Sequence, residues 1–590
     1  MTALTWDLSD LAADEADVDR FLDEARDCAN ALAEAHRGRV ADLDGPGLVK
    51  LMQSLAEVHE LLGRAQSYAY LRFAADTVDP VNGARLQRVQ ERATEVTTAL
   101  LFFDIEWAAL PDEQAAELLA TPGLEFARHH LANARRYRRH LLTEPEEKVL
   151  AEKHVTGAAA WARLFGELTS ALDVAIDGER VTFEEALSRL SSADRSVRKA
   201  TADGITAALA PGLRTRAFVY NTLLNDKAVD DRLRHYDHWL ASRNLANEAS
   251  DESVQALVDA VRARFDLPQR WYRLKARLLG LDRLADYDRM AAVTDADPHV
   301  SWEEAKQLVL DSYASFSQDL ADVAQQFFER RWIDVPARPG KQPGAFCMYT
   351  VPSVHPYVLL NFTNRPVDVV TLAHELGHGL HAYLARPQGV FHQGTPLTLA
   401  ETASVFGETV AFGRLLDRCE TPDARLSLLA QHIEGAIATV FRQTAMNRFE
   451  HLAHTARRTE GELSVPRLGE LWAQSQAELF GDAVEITEGY RSWWSYIPHF
   501  VHTPGYVYAY AYGQLLALSV YRQYEEQGSD FVPRYLHLLA SGGSMPPEEL
   551  GRLVGCDLAD PGFWDGGLAI VEQQLDAAET AAWEAGRLTA

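Results

Sequence analysis

Apolar residues recur at helical spacing along four long stretches, Val18 to Ala35, Pro46 to Arg64, Asn82 to Leu110 and Glu252 to Leu279, all rich in Ala, Leu, Glu and Arg. Each stretch carries an apolar stripe that a helix must bury against a neighbour, so the pattern predicts a mainly α body. Start signals agree with this. Ser192-Ala-Asp-Arg, Ser250-Asp-Glu-Ser and Ser301-Trp-Glu-Glu each set a capping residue ahead of acids in a first helical turn. A chain of 590 residues is several times the usual domain, so it needs two or more cores or one large helical one. No Gly-Ser or Pro-rich linker and no fixed-period repeat divides it.

Acidic residues outnumber basic ones 85 to 57, a formal charge of −28. That charge repels phosphate backbones and anionic membrane surfaces, which argues against nucleic acid and membrane as partners. Met1 to Glu15 has neither the basic nor the apolar region of a secretory signal. The four cysteines, Cys28, Cys347, Cys419 and Cys556, lie far apart with no CxxC pair. Both features predict a reduced, cytoplasmic protein.

Two stretches, Gln342 to Asn364 and Ser492 to Tyr521, lack Asp, Glu, Lys and Arg altogether. The second is long enough for a membrane span, but Pro498, Pro504, Gly505, Gln514 and its His and Tyr residues suit burial within protein or the wall of a cleft. After Arg330 the composition turns dense in Pro and Gly, so helix gives way to loops. Tyr357-Val-Leu-Leu-Asn-Phe then reads as a short buried strand, and helix resumes at Pro366, which suits a first turn.

Within that helix stands His374-Glu375-Leu376-Gly377-His378. Histidines four apart lie about 40° apart around a helix axis and about 6 Å along it, so both can reach one zinc ion. Glu375 points aside, where it can hold a water on the metal and take its proton. His381 returns to the face of His374 but lies about 10 Å further along the axis, too far to share a metal with both. It reads equally as a supporting residue or as core. The HExxHxxGxxH spacing is absent, since position 384 is Leu.

A catalytic zinc needs a third protein ligand. The next predicted helix, from Thr398, offers Glu401 and Glu408 on one face, about 10 Å apart, so one can bind and the other can brace a ligating His. Spacing does not choose between them. Hydrolysis builds charge on an oxygen, and the segment from His499 and His502 through Tyr506, Tyr508, Tyr510 and Tyr512 offers donors for it. In a helix Tyr508 and Tyr512 share one face, Tyr506 and Tyr510 another.

His374-Glu-Leu-Gly-His378, Glu401-Thr-Ala-Ser404 beginning 27 residues after the first His, Gly344-Ala-Phe-Cys347, His355-Pro-Tyr-Val-Leu-Leu-Asn361 and Ile497-Pro-His499-Phe together resemble the oligoendopeptidase F branch of the thimet oligopeptidase family. Trp6, the stretch from Leu278 to Asp288 and that from Trp332 to about Gly513 share the likeness. The resemblance implies a large multi-helix body with a deep central channel, a small β-sheet beside the zinc helix, and one zinc per chain on His374, His378 and Glu401. It makes Glu375 the general base of a zinc-activated water and Glu408 a brace. Gly344, Ala345 and Phe346 become an edge strand that pairs with the backbone of oligopeptide substrates, and His355 a further substrate-binding residue. Counting from His499 and from His502 selects different tyrosines, so His499, His502, Tyr506, Tyr508 and Tyr512 all stand as catalytic candidates. With the cap at Ser192, the likeness also divides the chain into an N-terminal helical domain, 1–195, and a catalytic domain, 196–590.

The expected activity is hydrolysis of internal bonds in short oligopeptides. A zinc carboxypeptidase would instead need a cation gripping the substrate's terminal carboxylate. A peptide-binding protein with a structural metal would need a fourth protein ligand, and no residue pattern supplies one.

Overall fold

The structure, a computed structural model, describes residues 4–294 and 299–588. It is mainly α-helical, with three small sheets among the described residues. No helix among the described residues is long and apolar enough to cross a membrane. Two compact units are each assembled from three separate stretches. One holds 4–138, 299–417 and 520–557, and the other 139–294, 418–519 and 558–588. This division follows contacts in space, whereas a boundary near residue 195 follows order along the chain.

The first unit opens with three long helices, Glu15–His36, Gly45–Ala75 and Pro80–Ala109, which pack on one another. Asp14, Asp44 and Asp79 cap them, each side chain accepting from first-turn amides that have no partner within the helix. Glu15, Asp19 and Asp23 on the first helix meet Arg85, Arg88 and Arg92 on the third, which sets their register at the surface. Trp107, Leu48, Met52 and Phe103 fill the core between them.

The same unit carries a three-stranded sheet in the order Ile333–Pro336, Tyr357–Phe362, Phe346–Met348. The first strand runs parallel to the middle one and the last antiparallel, pairing Cys347 with Val358. Ile333–Pro336 lies where the Pro-Gly composition predicted loop alone. Its Asp334 is buried and paired with Lys341, so the strand carries an ion pair that the turn residues obscured. From the middle strand the chain turns into the helix Pro366–Ala385, with Pro at its start. The Asp368 carboxylate accepts from Thr363 N, Thr363 Oγ1 and Arg365 N, and so fixes the direction in which this helix leaves the sheet.

In the second unit the predicted helix over 252–279 is two helices, Asp251–Ala263 and Asp266–Leu278. Pro268 explains the break: it has no N–H for the carbonyl of Arg264, and its ring would collide with that carbonyl in a continuous helix. Ser250 and Ser301 cap helices as expected. At 192 the cap is shifted. Asp194, not Ser192, caps Arg195–Leu209, and the Ser192 hydroxyl accepts from Asp194 N.

Candidate active site

The helix Pro366–Ala385 is buried on the side formed by Val369, Leu372, Ala373 and Leu376. It packs against Ser404–Asp417 at a distance set by glycine. A Cβ on Gly377 would lie 2.4 Å from the Ala403 carbonyl oxygen, and one on Gly407 would lie 2.1 Å from the Tyr313 hydroxyl. That hydroxyl donates to the Ala373 carbonyl at 2.8 Å. Close approach of the two helices is what brings their polar side chains together.

The predicted continuous helix from Thr398 is interrupted. Leu397–Ala400 ends, residues 401–403 form turns, and Ser404–Asp417 follows. Around the bend Thr402 Oγ1 donates to the Leu399 carbonyl, and the Glu401 carbonyl accepts from both Ser404 Oγ and Val405 N. Glu401 sits in this bend and reaches both histidines: its Oε2 lies 3.4 Å from His374 Nε2 and 3.5 Å from His378 Nε2. Ser404 Oγ donates to the same oxygen at 2.7 Å. Glu408 lies one side away, its Oε2 3.0 Å from His374 Nδ1.

His374, His378 and Glu401 form the one cluster of His, Cys, Asp or Glu donors among the described residues with the compactness a metal ion requires, all three atoms lying within 4.8 Å of one another. Zinc donors at about 2.1 Å in a tetrahedron lie about 3.4 Å apart, which is the spacing of the carboxylate oxygen to each imidazole nitrogen. The Glu408 contact occupies His374 Nδ1 and leaves Nε2 its lone pair. The donor set fits a metal with at least one open position.

Burial alone would lower the His374 pKa, but its bond to Glu408 and the carboxylates of Glu401, Glu408 and Glu375 raise it to about 9. Burial holds His378 low, against the pull of Glu401. Glu375 is pushed up to about 7 by burial, with His374 opposing and Glu401 adding to the shift. His381 is 2 % exposed, and burial, with His378 nearby, keeps it neutral.

Phe346–Met348 is the edge strand of its sheet and lies against the His374 helix. Asn361 Nδ2 donates to the carbonyls of Gln342 and Gly344, and a cavity of about 360 Å³ lined by Gly344, Ala345, Asn361 and Arg365 runs beside them. Phe346 packs on Tyr70. The alternate strand residues face the other way. Tyr349 places its ring 6.4 Å from that of His378, and Cys347 and Tyr349 both feel the charge of Glu375. Period-two alternation from Cys347 was the signal that could have singled out Tyr349. His355 does not reach this group. It is stacked on Trp332 at 3.8 Å, and its Nε2 is 3.0 Å from the Asp10 carboxylate, so its ring is engaged in the core.

The tyrosine segment belongs to the second unit. Helix begins at Tyr508, and Tyr508 and Tyr512 are wholly buried. Tyr508 accepts from Asn247 Nδ2, and Tyr512 donates to Ser253 Oγ. Both hydroxyls are therefore engaged inside the protein. His499 instead gathers Tyr506, stacked at 6.3 Å, and Tyr510, whose hydroxyl lies 3.2 Å from His499 Nε2. Tyr510, outside the expected set, is the ladder tyrosine whose hydroxyl reaches His499. His502 is exposed and turns toward Phe165.

A family model described as Peptidase family M3 matches residues 188–570, and one described as Oligopeptidase F matches 106–173. The chain belongs to peptidase family M3. This M3 chain is 28% identical over 588 residues to Oligopeptidase PepF of Bacillus subtilis, covering 98% of itself and 87% of that protein. It is 27% identical to Group B oligopeptidase PepB of Streptococcus agalactiae, with 90% of each chain covered. Among solved structures, a putative peptidase from Chlamydophila abortus shares the fold with a TM-score of 0.88 at 22% identity, covering 98% of both chains. Family M3 membership, in its oligoendopeptidase F branch, makes the chain a peptide-hydrolysing metalloenzyme.

Proposed function

We propose that this M3 peptidase is a zinc-dependent endopeptidase that cuts internal bonds of short oligopeptides in the cytoplasm. The observation that carries the reading is the trio His374, His378 and Glu401, three donors at tetrahedral spacing with no fourth protein donor beside them among the described residues. These residues would hold zinc, and when bound the ion supplies Lewis acidity, polarising the scissile carbonyl and lowering the pKa of water. Glu375 takes the proton of the attacking water and delivers it to the leaving amine. A carboxyl brought close to neutrality by burial can do both. Glu408 holds the His374 ring in the tautomer that presents Nε2.

His499, Tyr506 and Tyr510 form the donor set for the oxyanion. The free edge of Phe346–Met348, with Gly344 and Ala345 leading into it, pairs with substrate main chain. Four free cysteines support a reducing compartment.

The test is an internally quenched, C-terminally amidated peptide of about ten residues, assayed with and without a zinc chelator, with cut sites read by mass. Chelator-sensitive internal cleavage is expected. Glu375→Gln should keep its metal and lose activity by about 10²–10⁴-fold. Cleavage seen only with a free C-terminal carboxylate would replace the reading with a carboxypeptidase, and tight zinc without cleavage of either peptide would leave a binding protein.

A further inference from the structure

The turn that carries Tyr506 is held by a single peptide plane gripped at both ends. Arg243 Nε donates to the Pro504 carbonyl at 3.4 Å, and Gly505 N–H donates to Glu450 Oε1 at 2.8 Å. Those two backbone atoms belong to the same peptide unit. Gly505 has φ +73, a left-handed conformation that favours glycine, and a Cβ there would lie 2.6 Å from Leu240 Cδ1. The Arg243 guanidinium also lies 6.0 Å from the Tyr506 ring centroid.

Glu450 lies on the helix Gln443–Glu460 with no exposed surface, and its Oε2 has no partner among the described residues. A buried carboxyl is costly, and little in its surroundings repays it except the hold on Gly505. Burial pushes its pKa up to about 8, with Gly505 N–H and Arg243 opposing, so the group is largely neutral at neutral pH.

We propose that Glu450 and Arg243 are positioning residues, which lock the Pro504–Gly505 peptide plane and thereby aim Tyr506, with His499 stacked on it, at substrate. The proposal rests on the reading of His499, Tyr506 and Tyr510 as the donor set. Neither Glu450 nor Arg243 touches substrate. Their effect is to remove freedom from the chain just before the Tyr508 helix, and misplacing a reacting group by about 1 Å costs on the order of 10²-fold.

The experiment is a kinetic cycle on the metal-loaded full chain with Glu450→Ala, Glu450→Gln, Tyr506→Phe and the double variant Glu450→Ala/Tyr506→Phe, with zinc content and unfolding midpoint measured for each. Glu450→Ala should lower kcat by about 10–100-fold with KM and zinc content little changed. Glu450→Gln, which keeps an acceptor for Gly505 N–H and matches the neutral acid, should recover most of that loss. The double variant should be about as slow as Tyr506→Phe alone, because an unaimed ring and an absent hydroxyl remove one interaction. Losses that multiply, or wild-type kcat in Glu450→Ala, would overturn the proposal. If Glu450→Ala does not fold, Arg243→Met removes the other grip and is read by the same criteria. Wild-type kcat in Tyr506→Phe, Tyr510→Phe and His499→Ala alike would instead sink the donor-set reading and the proposal with it. Slow donor variants beside a fast Glu450→Ala would sink the proposal alone.

Discussion

Gly377→Ala separates close helix packing from ordinary helix propensity, because the two make opposite forecasts. The added Cβ would sit 2.4 Å from Ala403 O, 2.5 Å from Ser404 Cα and 2.7 Å from Ala403 C. All three are backbone atoms, so no side chain can rotate away. Restoring ordinary contact needs a shift of about 1 Å, and overpacking of this kind costs about 1–3 kcal/mol. Helix propensity alone would gain about 1 kcal/mol from the same change. The atoms pushed aside lie between Glu401 and the helix bearing Glu408, and Ser404 also donates to the Glu401 carboxylate. Metal affinity should therefore fall by about 10–100-fold, as when ligand supports are removed. Competition against a fluorescent zinc chelator measures the first effect, and denaturant unfolding of the metal-free protein the second. Gly83→Ala, in the helix Pro80–Ala109 with nothing within 4 Å of its Cβ, is the control and should not destabilise. A Gly377→Ala protein that binds zinc like wild type and unfolds at the same or higher denaturant would refute the packing argument.

Glu408→Ala should weaken zinc binding by about 10–100-fold in the same competition assay, and unchanged affinity would show that its contact with His374 is incidental. Tyr510→Phe should lower kcat on the order of 10²–10³-fold. Tyr508→Phe should instead spare kcat and cost about 1–3 kcal/mol of stability, since Asn247 loses its acceptor; the reverse pattern would overturn the assignment of faces. The Glu450 carboxyl has its folded pKa raised to about 8 from 4.5, so between those values the folded state holds a proton that the unfolded state has lost. The Glu450 contribution to wild-type stability then falls as pH rises through that window, while Glu450→Gln has no such contribution, so its advantage over wild type should grow from pH 5 to pH 8. A difference that stays flat with pH would mean the carboxyl is not held neutral.

The parts of the site legible in the sequence were those written at one helical period. His374, Glu375 and His378 needed only the 3.6-residue repeat, and the apolar flank showed the helix to be buried. Spacing did not choose between Glu401 and Glu408, and the resemblance that named Glu401 was needed, because one continuous helix was expected where the turn at 401–403 carries Glu401 to both histidines. The tyrosine ladder was hard to read for a related reason. Residues at i, i+2 and i+4 sort into two faces, but which face is core depends on Asn247 and Ser253, more than 250 residues away. His355 had suitable chemistry for a substrate contact, and only the fold shows its ring enclosed by Trp332 and Asp10. The helical class itself was plain from periodicity, whereas Ile333–Pro336 was too short to stand out from the prolines around it.

Assembly from interleaved stretches has a consequence for synthesis. The unit holding the metal cluster begins before residue 138 and is completed only with residues 520–557. A ribosome adds about 380 residues between those points, which at about 5–20 residues per second takes on the order of 20–80 s. Phe316 and Phe406, made before that last stretch, lack their ring partners Tyr524 and Tyr535 until it arrives. Newborn chains of this protein therefore depend on whatever shields exposed apolar surface during elongation, and a single cut in the gene cannot release either unit whole.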